Sequence, residues 1–145
     1  MITIQRTKAT SGTSLADINE LLLQLRQDQN EPLGTQEDLD SIASPNRDII
    51  FVTARDGEKI VGMASIYVAT KFGKKTGFVE DVVVSERYRG QGLGQRIMET
   101  AIEEAKIERV TQLYLTSRPE RVAAHKLYEK LGFVMKKTDV FKLKF

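Results

Sequence analysis

The sequence predicts an α+β fold of α/β/α-like layering: a mixed, mostly antiparallel sheet of six to seven strands flanked by about four helices. Three observations carry this. Strand-like runs follow one another directly across turn signals between residues 48 and 84, as antiparallel neighbours do. Over residues 78–116 a β-branched run, a glycine-rich turn, a helical repeat and another strand-like run succeed each other. That order implies a parallel pair with a right-handed crossover. Three further segments place apolar residues three to four apart, one helix face each.

In chain order, Ile2 and Ile4 alternate with Thr3 and Gln5 as a short first strand. Ser14-Leu15-Ala16-Asp17 has the Ser-x-x-acid pattern of a capped helix start. Leu15, Ile18, Leu21, Leu22 and Leu25 then form one face, with an end expected near Asp28. Gln29 to Gly34 reads as a loop, and Thr35-x-x-Asp38 as the start of a shorter helix that Ser44-Pro45-Asn46 stops. Asp48–Arg55 and Ile60–Val68 read as strands joined at Asp56-Gly57, with a bulge expected near Gly62. Lys71–Gly77 reads as a basic turn, and Phe78–Val84 as the central strand. Leu93, Ile97, Met98, Ala101, Ile102 and Ala105 line the next helix, and Gln112–Thr116 is another strand. Ser117 to Glu120 is expected to open the last helix, with Ser117 as cap and Pro119 in the first turn. That helix carries Leu127, Tyr128 and Leu131 and ends at Gly132. Phe133-Val134 and the alternating Val140–Phe145 are expected as the final strands.

The chain of 145 residues suits one domain, taken as residues 1–145. It has 41% hydrophobic and 29% charged residues, ordinary for a soluble protein. No apolar run is long enough to span a membrane, and the first residues lack a signal-peptide h-region, so a cytoplasmic location is expected. Cysteine is absent, which removes disulfides and thiolate nucleophiles. With one histidine besides, no metal site is expected. The formal net charge of +2 does not by itself point to nucleic acid, and no nucleic-acid partner is expected.

The stretch from Gly77 to Lys106 organises the chain. Arg89-Gly90-Gln91-Gly92-Leu93-Gly94 joins a Val-rich strand to a helix. The first N–H groups of a helix lack intrahelical partners and sit at the positive end of its dipole, and glycine lets a ligand approach them. This is an anion site suited to phosphate. The dinucleotide fingerprint fails because Gln95 stands where a third glycine belongs, and no Gly-Lys-Ser/Thr closes the turn as a P-loop requires. Arg87, Arg89 and Arg96 add positive charge nearby.

What the turn does match is Arg/Gln-x-x-Gly-x-Gly/Ala, through Arg89, Gly92 and Gly94. It resembles the acyl-CoA pyrophosphate loop of the GCN5-related N-acetyltransferases, the GNAT superfamily. A second stretch, Ala123-Ala124-His125-Lys126-Leu127-Tyr128-Glu129-Lys130-Leu131-Gly132-Phe133, resembles that family's Ala-x-x-Leu-Tyr-x-x-x-Gly-Phe pattern. Within the family, Val79–Val84 together with Tyr88–Gly94 is also similar to glucosamine-6-phosphate N-acetyltransferases.

The resemblance implies the acyl-CoA N-acyltransferase fold, in which two central strands splay apart, and an N-acetyltransferase that uses acetyl-CoA as co-substrate and needs no metal. The pantetheine arm would pair with backbone of Val82 and Val84. The pyrophosphate would rest on N–H groups from Gly90 to Gln95, that is Gly90, Gln91, Gly92, Leu93, Gly94 and Gln95, with Arg89 beside them. An amine then attacks the thioester directly, in keeping with a chain that has no cysteine nucleophile.

Tyr128 is the expected general acid toward the departing thiolate, since a phenol holds its proton at neutral pH. The plainer alternative is an amphipathic core residue. Glu80 is the expected base, directly or through water. It stands two residues before Val82, hence on the same strand face by alternation, with Asp81 on the other unless a bulge intervenes. A salt bridge or simple exposure is the alternative for Glu80. His125 stands where many relatives have asparagine and is expected near the cofactor. As a base it competes with Glu80 and water.

The acceptor stays open between a small-molecule amine and a protein amino group. A homodimer through the C-terminal strand is an expectation from the family. The competing reading is a non-catalytic acyl-CoA-binding or regulatory module on the same fold.

Overall fold

Alternation of apolar and polar residues along the strands is resolved into one five-stranded sheet. A computed structural model describes residues 1–145. The strands are β1 (Ile2–Arg6), β2 (Ile49–Asp56), β3 (Lys59–Lys71), β4 (Lys74–Val84) and β5 (Gln112–Tyr114), in spatial order β1-β2-β3-β4-β5. The first four pair antiparallel and β5 pairs parallel to β4. Helices α1 (Leu15–Leu25) and α2 (Gln36–Ile42) cover one face, and α3 (Leu93–Ile107) and α4 (Val122–Lys130) the other.

Both faces are therefore dry, and the strands divide their side chains between two cores. Ile50, Val52, Ala54 and Ile66 join Ile97, Met98 and Ala101 of α3. Phe51, Ile60 and Met63 join Leu21 and Leu22 of α1 and Leu39 of α2. Gly62 lets α3 lie close to the sheet, because a Cβ there would come within 2.7 Å of Ile97 Cδ1. Substitution would force the Ile97 side chain to shift within the packed core.

Local signals predicted several ends correctly. Ser14 accepts a hydrogen bond from the Asp17 N–H at 3.1 Å. Thr35 and Asp38 make a reciprocal capping box at 3.2 and 2.8 Å. The bulge expected near Gly62 is present: Ala54 faces Gly62 while Arg55 faces Ile60, which leaves Val61 as the extra residue. Gly132, with φ +98°, closes α4, where the Phe133 N–H reaches back to the Tyr128 carbonyl at 2.9 Å.

Other expectations need correction. α1 stops at Leu25 rather than near Asp28, because Arg26 turns extended and its guanidinium donates to the Glu31 and Pro32 carbonyls of the following loop. The basic segment Lys71–Gly77 is mostly strand. The turn is only Phe72-Gly73, where φ +75° at Gly73 permits a two-residue hairpin, and Lys71 pairs with Lys74. α4 starts at Val122, three residues beyond the expected Pro119. Arg121 takes the N-cap position without a side-chain cap, and Ser117 to Glu120 form a loop stitched by the Arg121 N–H to the Arg118 carbonyl.

The sheet has five strands, not six or seven. Neither Phe133-Val134 nor Val140–Phe145 enters it. Val140, Phe141, Leu143 and Phe145 are 75% to 109% exposed. Alternation makes a segment able to be a strand, but a strand exists only against a partner edge, and this segment reaches none on its own chain.

Candidate active site

Pairing between β4 and β5 lasts three residues, from Thr76–Gln112 to Phe78–Tyr114. β4 runs on to Val84 with its β5-side edge unpaired by any strand. Beyond it come a single 3₁₀ turn, Glu86–Tyr88, and then the glycine-rich turn into α3. Gly90 and Gly92 have φ +77° and +75°, and a Cβ at either would meet nothing within 4 Å. Backbone conformation, not crowding, is what requires glycine there. Gly92 is the N-cap of α3 and offers no side-chain cap, and the first turn holds no acidic residue. The first intrahelical bond is from the Arg96 N–H to the Gly92 carbonyl, so the N–H groups of Leu93, Gly94 and Gln95 have no helical acceptor.

These N–H groups open on a cleft of about 770 Å³ between β4, the α3 N-terminus and α4, with Gln24 and Leu25 of α1 at its other wall. The cleft gathers nine of the residues predicted from sequence. Val82, Val84, Arg89 and Gly90 line it, as do Gly92, Leu93, Gly94, Gln95 and Tyr128. Arg89 Nε donates to the Val84 carbonyl at 3.0 Å, which shows that this carbonyl faces the unpaired side of β4. Sequence reasoning missed the charge that α4 and its leading loop bring: Arg118, Arg121, Lys126 and Lys130 line the cleft against one acid, Glu120. The four-residue spacing of Lys126 and Lys130 on one helix line was the available signal. Of the three arginines named around the turn, Arg89 alone lines the cleft.

Tyr128 is 8% exposed and packs edge-on against Phe133, with ring centroids 5.8 Å apart. Burial pushes its phenol above the usual value, and Arg121 pulls modestly the other way. No hydrogen bond contributes to that shift. The group is thus protonated at neutral pH and lines the cleft.

Glu80, Gln91 and His125 lie outside the cleft lining. The His125 ring nitrogen Nε2 hydrogen-bonds the Arg118 carbonyl at 3.0 Å and so fastens the loop before α4.

The face expected for Glu80 is corrected by a second bulge. Ser65 faces Glu80 and Met63 faces Val83, so Asp81 and Val82 of β4 together oppose Ala64. Asp81 takes up the extra length in the left-handed region at φ +51°, which aspartate tolerates better than most residues. The parity of the strand inverts there. Val79 packs on the α3 side and Val83 on the α1 side, although four residues separate them. Glu80 therefore shares the face of Ser65 and Tyr67, turned to α1 and α2, while Val82 and Val84 face α3 and α4.

On that α1/α2 side Glu80 is exposed, as the plainer alternative had it, yet partial desolvation raises its carboxyl above the ordinary value, with Asp81 adding to the effect. Burial likewise raises Asp81, against a lowering by Arg26, although part of its surface stays open to water. Tyr67 is raised by burial and then by the fields of Asp81 and Glu80. Two carboxylates thus stand together beside the end of the β4–β5 pairing. No group of three or more His, Asp or Glu side chains is arranged to hold a metal ion.

An uncapped, glycine-led helix N-terminus facing a basic cleft, beside a parallel strand pair that parts company, belongs to the acyl-CoA N-acyltransferase fold. The sequence profile of the acetyltransferase (GNAT) family matches residues 15–133, and the chain belongs to that family. A glucosamine 6-phosphate N-acetyltransferase of Trypanosoma brucei brucei is 37% identical over 78 residues, 52% of this chain and 51% of that protein. A probable glucosamine 6-phosphate N-acetyltransferase 2 of Oryza sativa subsp. japonica is 35% identical over 102 residues, 66% of this chain and 60% of that one. The chain thus spans only about half to three fifths of these curated relatives. The crystal structure of glucosamine-6-phosphate N-acetyltransferase from Arabidopsis thaliana superposes with a TM-score of 0.78 at 27% identity, over 99% of this chain and 98% of that one. No helix is long and apolar enough to cross a membrane.

Proposed function

We propose that this chain is an N-acetyltransferase that moves the acetyl group of acetyl-CoA to an amine by direct attack. The observation that carries the reading is the α3 N-terminus, whose free N–H groups and neighbouring cations open on a cleft that also holds Tyr128. Pyrophosphate would sit on Gly90 to Gln95, and Arg118, Arg121 and Lys126 supply further charge for phosphates. The unpaired edge of β4 at Val82 and Val84 is suited to an extended, amide-bearing arm.

The amine nitrogen attacks the thioester carbonyl carbon and the C–S bond breaks. Tyr128 donates its proton to the leaving thiolate, and Glu80 receives the proton the amine gives up, directly or through water. Glu80 reaches this chemistry from the α1/α2 face, so acyl donor and acceptor would approach the gap from opposite sides. The raised pKa of Glu80 brings it closer to the range in which a base works. His125 acts by holding the loop that carries Arg118. The acceptor is a small-molecule amine or a protein amino group, and glucosamine 6-phosphate is the first to assay, given the names of the relatives. The exposed tail, Val140 to Phe145, would pair with a second copy in a homodimer.

A thermal-shift titration tests the donor site. A ligand that binds only the folded state adds about 2.7 kcal/mol at a hundredfold excess over its Kd. Acetyl-CoA and CoA should stabilise and ATP should not. No shift with acetyl-CoA would overturn the reading. Stabilisation without CoA release on any amine would leave a binding module instead.

A further inference from the structure

At the opposite end of α3 from the glycine-rich turn lies a smaller cleft of about 330 Å³, lined by Arg47, Lys75, Ile107, Glu108 and Arg109. A helix of 15 residues separates the two, about 22 Å of rise. We propose that this cleft binds a small phosphorylated molecule.

Arg109 sits on an unusual backbone. α3 ends in a Schellman motif, with the Val110 N–H on the Ala105 carbonyl and the Arg109 N–H on the Lys106 carbonyl, both at 3.0 Å. Arg109 occupies the left-handed position at φ +63°, where glycine is the unstrained choice. An arginine here weakens the fold, and what it adds is a guanidinium at the cleft.

The cleft's cations are also free of acidic partners. None of the chain's ion pairs involves Arg47, Lys75 or Arg109. The one carboxylate in the lining is turned inward: Glu108 Oε1 lies 3.7 Å from the Arg6 guanidinium, and Oε2 is shut off from solvent. The charges presented outward are therefore all positive.

Buried contacts hold the walls of the cleft in place. Arg6, 6% exposed at its side chain, pairs with Glu104 at 3.2 Å and donates to the Asn46 and Ile49 carbonyls. It thereby clamps the loop that carries Arg47 to the end of α3. Lys75 Nζ donates to the Glu108 carbonyl at 2.8 Å and keeps two further protons for a ligand. Guanidinium groups match phosphate geometry, and the volume suits a small phosphate ester.

The test is an amide-resolved NMR titration with inorganic phosphate and glycerol 3-phosphate against chloride at constant ionic strength. Saturable shifts are expected at Arg47, Lys75, Arg109 and Val110, separate from any at Gly90 to Gln95. Arg47→Ala with Arg109→Gly should weaken them at least tenfold. Arg109→Gly alone should leave Tm unchanged or higher, which a purely structural arginine would not do. Arg109→Asn, which also accepts the left-handed backbone, should lose binding equally. Shifts confined to Gly90–Gln95, shifts matched by chloride, or binding that survives the double substitution would each overturn the proposal.

Discussion

Alanine at Gly92 and alanine at Gly94 separate the two ways a glycine can matter in the α3 turn. At Gly92 no atom lies within 4 Å of the added Cβ, but φ is +75°, where an L side chain costs about 1–2 kcal/mol. For a chain of 145 residues that lowers Tm by roughly 3–7 °C. If the backbone relaxes instead, the N–H groups of Leu93 to Gln95 turn away from the cleft. Losing one hydrogen bond to a charged phosphate costs about 1.5–3 kcal/mol, so acetyl-CoA affinity should fall at least about tenfold. At Gly94 the backbone is helical, and the Cβ would meet Leu127 Cδ2 at 3.5 Å and Val84 Cγ2 at 3.7 Å, ordinary contacts. Alanine there gains helix propensity worth up to about 1 kcal/mol. Thermal melts and calorimetric titration with acetyl-CoA measure both quantities. Equal damage from the two substitutions, or an unchanged Gly92→Ala protein, would refute the argument that backbone conformation sets this site.

Tyr128→Phe keeps the packing on Phe133 and removes only the proton, so Tm should hold while kcat falls by about 100-fold, with acetyl-CoA affinity little changed; full turnover would remove Tyr128 as the acid. Wild-type activity should fall as pH drops through the raised pKa of Glu80, and Glu80→Gln should abolish that limb along with most of the rate; a pH profile that survives the substitution assigns the base elsewhere. Asp81 carries a raised carboxyl, so the folded state holds its proton longer than the unfolded one and stability falls as pH rises above the unfolded value. Asp81→Asn, which also accepts φ +51°, should therefore raise Tm at pH 7, with the gain vanishing as pH falls below the usual carboxylate range. Deleting residues 136–145 should convert a dimer to a monomer by light scattering without unfolding the body; an intact chain that is already monomeric would end the dimer proposal.

What could be read directly was what neighbours in sequence decide. Ser14 and Thr35 announced their helices because capping partners lie three residues away. Asp56-Gly57 announced its hairpin, and Gly132 its helix end, because a left-handed residue is a local demand. The run from Phe78 to Ala105 carried strand, anion turn and helix together, and nine of the predicted site residues do line one cleft. The basic residues of α4 went unseen because their relevance depends on that helix lying across the end of β4.

Tertiary structure decided three things that pattern alone leaves open. One residue inserted at Asp81 inverts the parity of β4, and only the pairing with β3 reveals which residue is extra. Strand alternation is thus a rule about faces that holds between bulges and says nothing across one. The start of α4 moved from Pro119 to Val122 because the loop before it is held by contacts distant in sequence or specific to its fold, such as His125 on the Arg118 carbonyl. The tail from Val140 to Phe145 has the alternation of a strand and is not one. Periodicity is a property of a segment, while a strand is a relation between two, and the chain alone supplies only the first.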